Sequence, residues 1–134
     1  MVGKCKIKKT IQNLNNYEEF SVYVNGLPEK GHSVYFFFTG SKKENGRSWC
    51  MYCQIAEPIV KAYLEELKKS VIFVFVQVGD PTTWRDRACP FRTDARTKLL
   101  VIPTIIKWKG VQRLEGEQCA KRDLLQMMFE EEED

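Results

Sequence analysis

Two cysteines three positions apart, Cys50 and Cys53, lie in the run Trp49-Cys50-Met51-Tyr52-Cys53. Thiols at this spacing can close and reopen a disulfide in place when the first sits at the start of a helix. A helix N-terminus presents unpaired N–H groups and the positive end of a dipole, and both favour the thiolate of Cys50. Cys53 lies one turn further in and is the natural resolving thiol. In the exchange that this arrangement permits, Cys50 attacks a substrate disulfide. Cys53 then attacks the mixed disulfide, frees the reduced product and leaves a Cys50–Cys53 bond. No metal or organic cofactor needs to be bound, and the electrons come from a separate reductant. The competing use of a C-x-x-C pair is half of a zinc site. Zinc wants four N or S ligands, usually with a second C-x-x-C or a His pair, whereas His32 is the single histidine here and Cys5, Cys89 and Cys119 are isolated in sequence. His32 has no acid beside it and reads as a loop residue rather than a catalytic base.

The elements that must position the pair are legible around it. Val34-Tyr35-Phe36-Phe37-Phe38 is apolar at every position, as in a strand covered on both faces. Gly40 to Ser48 is a loop with an Asn45-Gly46 turn signal. From Cys53 the pattern turns helical, with Ile55, Ile59, Ala62, Tyr63 and Leu67 at spacings of three and four, and Pro58 is expected to kink that helix. Val71–Val78 reads as a second buried strand. Residues 79–98 form a polar connection with an expected helix around Phe91–Lys98. Thr104–Trp108 and Val111–Leu114 should pair as a hairpin across Lys109-Gly110. Upstream, Lys6–Ile11 can form a first strand, and Asn16 caps a helix carrying Tyr17, Phe20 and Val24. Leu124, Leu125 and Met128 mark a last helix. The order β-α-β-α-β-α-β-β-α predicts an α/β fold with a central mixed sheet and helices on both faces. Ile102-Pro103 stands at the entrance to the hairpin, and this order brings it beside the cysteines. A cis bond there would expose backbone groups to an extended substrate, as in strand addition.

The 134 residues are read as a single domain spanning 1–134, with a basic N-terminal segment and an acidic C-terminal tail at 130–134. Without those ends the net charge of +3 becomes +4 for the body, too small a balance to argue for a polyanionic partner. Arg85, Arg87, Arg92, Arg96 and Lys98 are offset by Asp86 and Asp94, and Phe91 is the one aromatic of that stretch. Nucleic-acid binding is therefore not expected, and these cations read as solvated ion pairs. The apolar runs are too short to span a bilayer, which takes about 20 residues, so no membrane association is expected. No secretory signal is visible, and five cysteines, an odd number, do not suggest a stapled scaffold. A reducing, cytoplasmic setting is the expectation. Cys5 and Cys119 read as packing residues, and Cys89, in an Arg-rich loop, as an exposed thiol.

Strand, C-x-x-C, helix and a later hydrophobic-Pro-Thr make a thioredoxin-like order. The chain resembles the thioredoxin domain-containing protein 17 family of cytosolic thioredoxin-related proteins. The match is carried by Phe37-Phe38-Thr39-Gly40-Ser41-Lys42, Gly46-Arg47-Ser48-Trp49-Cys50, Cys53, Ala56-Glu57-Pro58, Gln77-Val78-Gly79, Trp84, Phe91-Arg92 and Pro103-Thr104. The resemblance implies a thioredoxin-like fold and a disulfide reductase using Cys50 and Cys53. It implies electrons from NADPH through thioredoxin reductase, and small substrates such as cystine, mixed disulfides and nitrosothiols. The family has also been linked to dynein light chain. Trp49, Met51, Tyr52, Ile102 and Pro103 would then line the substrate groove. The family usually carries Pro-Asp between its cysteines, where this chain has Met51-Tyr52, which trades a rigid turn and a carboxylate for apolar surface. Ordinary thioredoxins keep an acidic residue at the position matched by Phe36, so another group or water must serve the Cys53 proton. An alternative function is a redox-sensing interaction module, in which the Cys50–Cys53 state controls partner binding without turnover. On either function, Lys42, Lys43 and Arg47 could fold over the site and help to hold a thiolate.

Overall fold

Alternation along two fully apolar strands divides the core in two. The computed structural model describes residues 7–28 and 33–130; Cys5, His32, Lys4, Lys6 and the acidic run after Glu130 lie outside the described residues. Five strands form one sheet: β1 (Lys9–Leu14), β2 (Val34–Thr39), β3 (Val71–Gln77), β4 (Thr104–Lys107) and β5 (Arg113–Glu115), in the order β1-β3-β2-β4-β5. β1 and β2 run parallel to β3, while β4 is antiparallel to β2 and β5 to β4, so the sheet is mixed. Tyr35, Phe37, Phe73 and Phe75 face one side, against helix α2 (Met51–Glu66) and helix α5 (Arg122–Glu130). Phe36, Phe38, Val74 and Val76 face the other, against helix α1 (Tyr17–Asn25) and the connection that follows β3. A strand covered on both faces has no polar side, which explains the unbroken aromatic run of β2.

Local signals place most of these elements. Asn16 accepts the Glu19 amide at 2.8 Å and starts α1. Pro58 lies inside α2, where it cannot donate to the Gln54 carbonyl, and the helix continues through it to Glu66. Leu125, Met128 and Phe129 of α5 are buried, and Phe129 stacks on Tyr35 with ring centroids 4.1 Å apart.

Five expectations change. β1 is displaced to Lys9–Leu14, because pairing with β3 sets its register from Lys9↔Val71 to Leu14↔Val76. Lys9 Nζ thereby reaches the Leu64 carbonyl at 2.7 Å and helps to satisfy the C-terminal end of α2. The hairpin is shorter than its apolar pattern: the Trp108 amide turns to the Val34 carbonyl, Lys109 takes φ 65°, and Val111 is exposed. Between Gly79 and Pro103 the helix around Phe91–Lys98 is shorter than that span and stops at Thr93. Two short helices form instead, α3 (Pro81–Arg85) and α4 (Pro90–Thr93), each opened by a proline. The Asp94 carboxylate accepts the Arg96 amide and ends α4, while Trp84, Cys89, Phe91 and Leu99 bury against the α1 face. Cys89 is consequently buried at 3% exposure, not exposed, since proline turns carry it inward. Among the arginines, Arg96 pairs with Asp94 as expected. Arg92 instead lies 3.7 Å over the Trp84 ring and Arg85 5.8 Å over Trp49.

Asp94 also accepts the Tyr17 hydroxyl at 2.7 Å, which clamps α1 to this connection. The Arg96 guanidinium, opposed by burial and helped by Tyr17, lowers the Asp94 carboxyl from 3.8 to about 2. A folded value below the unfolded one contributes stability that is full above about 4 and is lost as pH falls through about 2. Asp94→Asn should flatten the fall in unfolding free energy across that window, read by urea titration at several pH values. Parallel curves for variant and wild type would remove Asp94 from the acid sensitivity.

Candidate active site

Cys50 is the N-cap of α2, and its sulfur accepts the Cys53 amide at 3.3 Å. The residue before it is fixed from three sides. Trp49 donates its indole N–H to the Gly79 carbonyl at 2.8 Å, its amide reaches Ser41 O, and its ring leaves no room for a Cβ at Gly40, which would stand 2.8 Å from it. Gly79 sits at φ +118°, and a Cβ there would stand 2.8 Å from Thr83, so the turn that anchors Trp49 requires glycine. Ser48 Oγ accepts the Cys50 amide at 3.1 Å, and the Gln54 side chain donates to Ser48 O. The loop and the first turn of α2 are therefore one hydrogen-bonded unit.

Ile102-Pro103 is cis, as expected, and the Ile102 carbonyl lies 3.9 Å from Cys50 Sγ. Thr104 Oγ1 donates to Val101 O at 2.7 Å, the Gly116 amide donates to Pro103 O at 2.8 Å, and Cys119 Sγ lies 3.6 Å from Pro103 O. Burial pushes the Cys119 thiol up to about 12, so it is an inert packing group behind the proline loop.

Cys50 and Cys53 are both free thiols and both buried, at 8% and 0% exposure. Cys50 is lowered from 9.0 to about 7. The hydrogen bond from the Cys53 thiol does most of this, burial opposes it, and the Cys53 and Tyr52 amides add to it. Cys53 is driven strongly the other way, by the same hydrogen bond and by burial, with Thr39 and the Gly40 amide pulling against them. Of the two thiols, Cys50 is thus the one that ionises first, while Cys53 keeps its proton.

The structure brings all seven expected site residues to one end of the sheet. Ile102 and Pro103 are buried, whereas Met51 and Tyr52 stand 71% and 53% exposed and continue into exposed Ile55, Val101 and Leu100. No loop cation is among the groups that act on the Cys50 sulfur. Lys42 pairs with Glu57 at 3.1 Å: its backbone N–H donates to Gln77 Oε1 at 2.9 Å, and Glu57 rises from the second turn of α2. Burial raises Glu57, but hydrogen bonds from Lys61 and Lys42 leave it below its ordinary value. Thr39, Gly40, Ser48 and Gly79 stood in the family match without roles; nothing in their types or spacing pointed to the sulfurs. Among the described residues no three His, Cys, Asp or Glu side chains gather as a metal site, and no helix is long and apolar enough to cross a membrane.

The family described as "Thioredoxin domain-containing protein 17-like, thioredoxin domain" matches residues 13–131. The chain belongs to this family. It is 39% identical over 119 residues to thioredoxin domain-containing protein 17 of Danio rerio, covering 89% of this chain and 94% of that one. The Homo sapiens protein of the same name is 32% identical over 120 residues, 90% and 94% of the two chains. The thioredoxin-like protein Clot of Arabidopsis thaliana is 39% identical over 86 residues, 62% and 64% of the two. The fold is thus that of a thioredoxin-like domain, and as a member of the thioredoxin domain-containing protein 17 family the chain is a thioredoxin-like redox protein. The matched span includes every residue of the site just described.

Because only the thiolate reacts, alkylation of Cys50 should be half-maximal near pH 7 and fall about tenfold for each unit below it. Cys53→Ala removes the leading cause of the low value, so the midpoint should move up toward that of an ordinary thiol. An unmoved midpoint would assign the shift to the helix N-terminus alone.

Proposed function

We propose that this protein is a thiol–disulfide reductase in which Cys50 is the nucleophile and Cys53 the resolving thiol. One observation carries the reading: the sulfur of Cys50 caps α2 within reach of both the Cys53 amide and the Ile102 carbonyl beside cis-Pro103. A substrate disulfide laid along Ile102–Pro103 would meet Cys50 Sγ, which attacks the nearer sulfur while the farther one leaves as a thiolate. Cys53 then loses its proton and attacks Cys50. The Cys50–Cys53 bond forms, the bond to substrate breaks, and the departing sulfur takes a proton. Net, one disulfide is reduced and one dithiol oxidised. We propose NADPH through thioredoxin reductase as the electron source, in a cytoplasmic setting.

The proposed substrates are small: cystine, mixed disulfides and nitrosothiols. The 8% exposure of Cys50 and the folded loop from Gly40 to Ser48, tied to the Gly79 turn and to Gln77, support that range by limiting approach. The apolar rim of Met51, Tyr52, Leu100 and Val101 gives a reductase a surface on which to reach the oxidised pair. The same rim supports the second reading, a redox-controlled interaction module. Turnover separates the two.

With NADPH and thioredoxin reductase, the protein should consume NADPH on adding cystine, with kcat/KM above that for insulin disulfides. Cys53→Ser should accumulate a mixed disulfide on Cys50, and Cys50→Ser should accumulate none. No turnover with any disulfide would leave the interaction module. Equal trapping by both variants would reject the assignment of roles.

A further inference from the structure

The exchange between Cys50 and Cys53 leaves one charged group at the site without a task. Arg85 is the last residue of α3, and its guanidinium lies 5.8 Å over the Trp49 ring. Arg85 is exposed, and among the described residues it makes no ion pair. Asp80 and Asp86, the carboxylates of its own connection, accept the Thr83 and Ala88 amides at 2.8 Å each. Two neighbouring cations are committed: Lys42 pairs with Glu57, and Arg92 donates to the Trp84 carbonyl and covers the Trp84 ring. Among the described residues, Arg85 is the one cation placed over Trp49.

Trp49 carries this cation to the sulfurs. Its ring is fixed by the indole bond to the Gly79 carbonyl, and its edge lies so close to Gly40 that a Cβ there would stand 2.8 Å from it. The Gly40 amide in turn points at Cys53 Sγ from 3.5 Å. Arg85, the Trp49 ring, Gly40 and Cys53 are thus successive neighbours, and Cys50 follows Trp49 directly in the chain. A guanidinium over an aromatic face is held in position and keeps its fork of N–H donors free for a carboxylate, which it binds through two parallel hydrogen bonds. During exchange, the group that stands beside Trp49 and Cys50 Sγ is the arm of the disulfide substrate.

We propose that Arg85, seated on the Trp49 ring, is a specificity-determining residue that binds a carboxylate on the substrate's arm, so that disulfides with anionic arms are the preferred class. The inference rests on the reductase reading of Cys50 and Cys53. Arg85 takes no part in the exchange itself: no bond to it forms or breaks, and it keeps its protons throughout.

The test uses three disulfides with arms of similar length and different charge: dithiodipropionate, a dianion; hydroxyethyl disulfide, which is neutral; and cystamine, a dication. Each reacts with the reduced protein in a single turnover, and intrinsic reactivities cancel in the ratio of variant to wild type. Arg85→Gln should slow dithiodipropionate about threefold relative to hydroxyethyl disulfide, the scale of an exposed ion pair, and added salt should erase the difference. Arg85→Glu should shift the preference further, toward cystamine, and Arg85→Lys should retain part of the wild-type preference. Alkylation needs no turnover and reads the same charge: Arg85→Gln should slow iodoacetate relative to neutral iodoacetamide at Cys50. Equal slowing of all three disulfides would make Arg85 a packing group for Trp49 and overturn the proposal. So would a charge preference that Arg85→Glu leaves unmoved. A wild-type protein that reduces none of the three overturns the reductase reading, whereas one that reduces them without regard to charge overturns this inference alone.

Discussion

One negative charge is held where α2 leaves the end of the sheet, and much of the structure is arranged around holding it. Cys50 Sγ accepts the Cys53 amide and the Cys53 proton, and both contacts exist because the helix begins at Cys50 and not a residue earlier or later. That start point is set outside the helix. The Trp49 indole is tied to Gly79 at the end of β3, and Ser48 holds the Cys50 amide. A shift of one residue would turn the sulfur away from the free amides and from the Ile102 carbonyl together.

The sheet supplies the rigidity this needs. β2 leads into the loop before Cys50 and β4 follows Pro103, and the two are paired from Phe38↔Thr104 to Tyr35↔Lys107. The cysteine and proline segments are therefore held by adjacent strands. Aromatic packing on both faces fixes those strands in turn: Phe129 and Tyr63 of α5 and α2 below, Phe20 and Phe91 above. Interiors packed to this density deform little, so the 3.9 Å approach of Ile102 O to Cys50 follows from the frame rather than from any local bond.

Exposed apolar side chains flank a sparsely polar site in sequence on both sides. Met51 and Tyr52 occupy exposed positions on the first turn of α2, and Leu100 and Val101 approach the site through the proline loop. Contacts made there bury apolar surface around a sulfur that is itself almost covered. The loop cation Lys42, for its part, is engaged by Glu57.

Much of this was legible in the sequence. The apolar runs of β2 and β3, the Asn16 cap, the C-x-x-C and the later Ile-Pro-Thr are local patterns with local causes, and each is found where its pattern lies. What could not be read depends on pairing and close approach. β1 took its register from β3, so Lys6–Ile11 gave way to Lys9–Leu14. The stretch after Gly79 broke into two proline-led turns because Trp84, Cys89 and Phe91 have a face of α1 to bury against. Lys42 found Glu57, a residue distant in sequence, and the Gly40 amide reaches the Cys53 sulfur only because the strand end places it there. Residue type and spacing determined the chemistry available to this chain. Tertiary structure decided what surrounds the two sulfurs, the Gly40 amide and the Ile102 carbonyl among them, because hydrogen bonds and burial act over a few ångströms between residues that the chain itself keeps far apart.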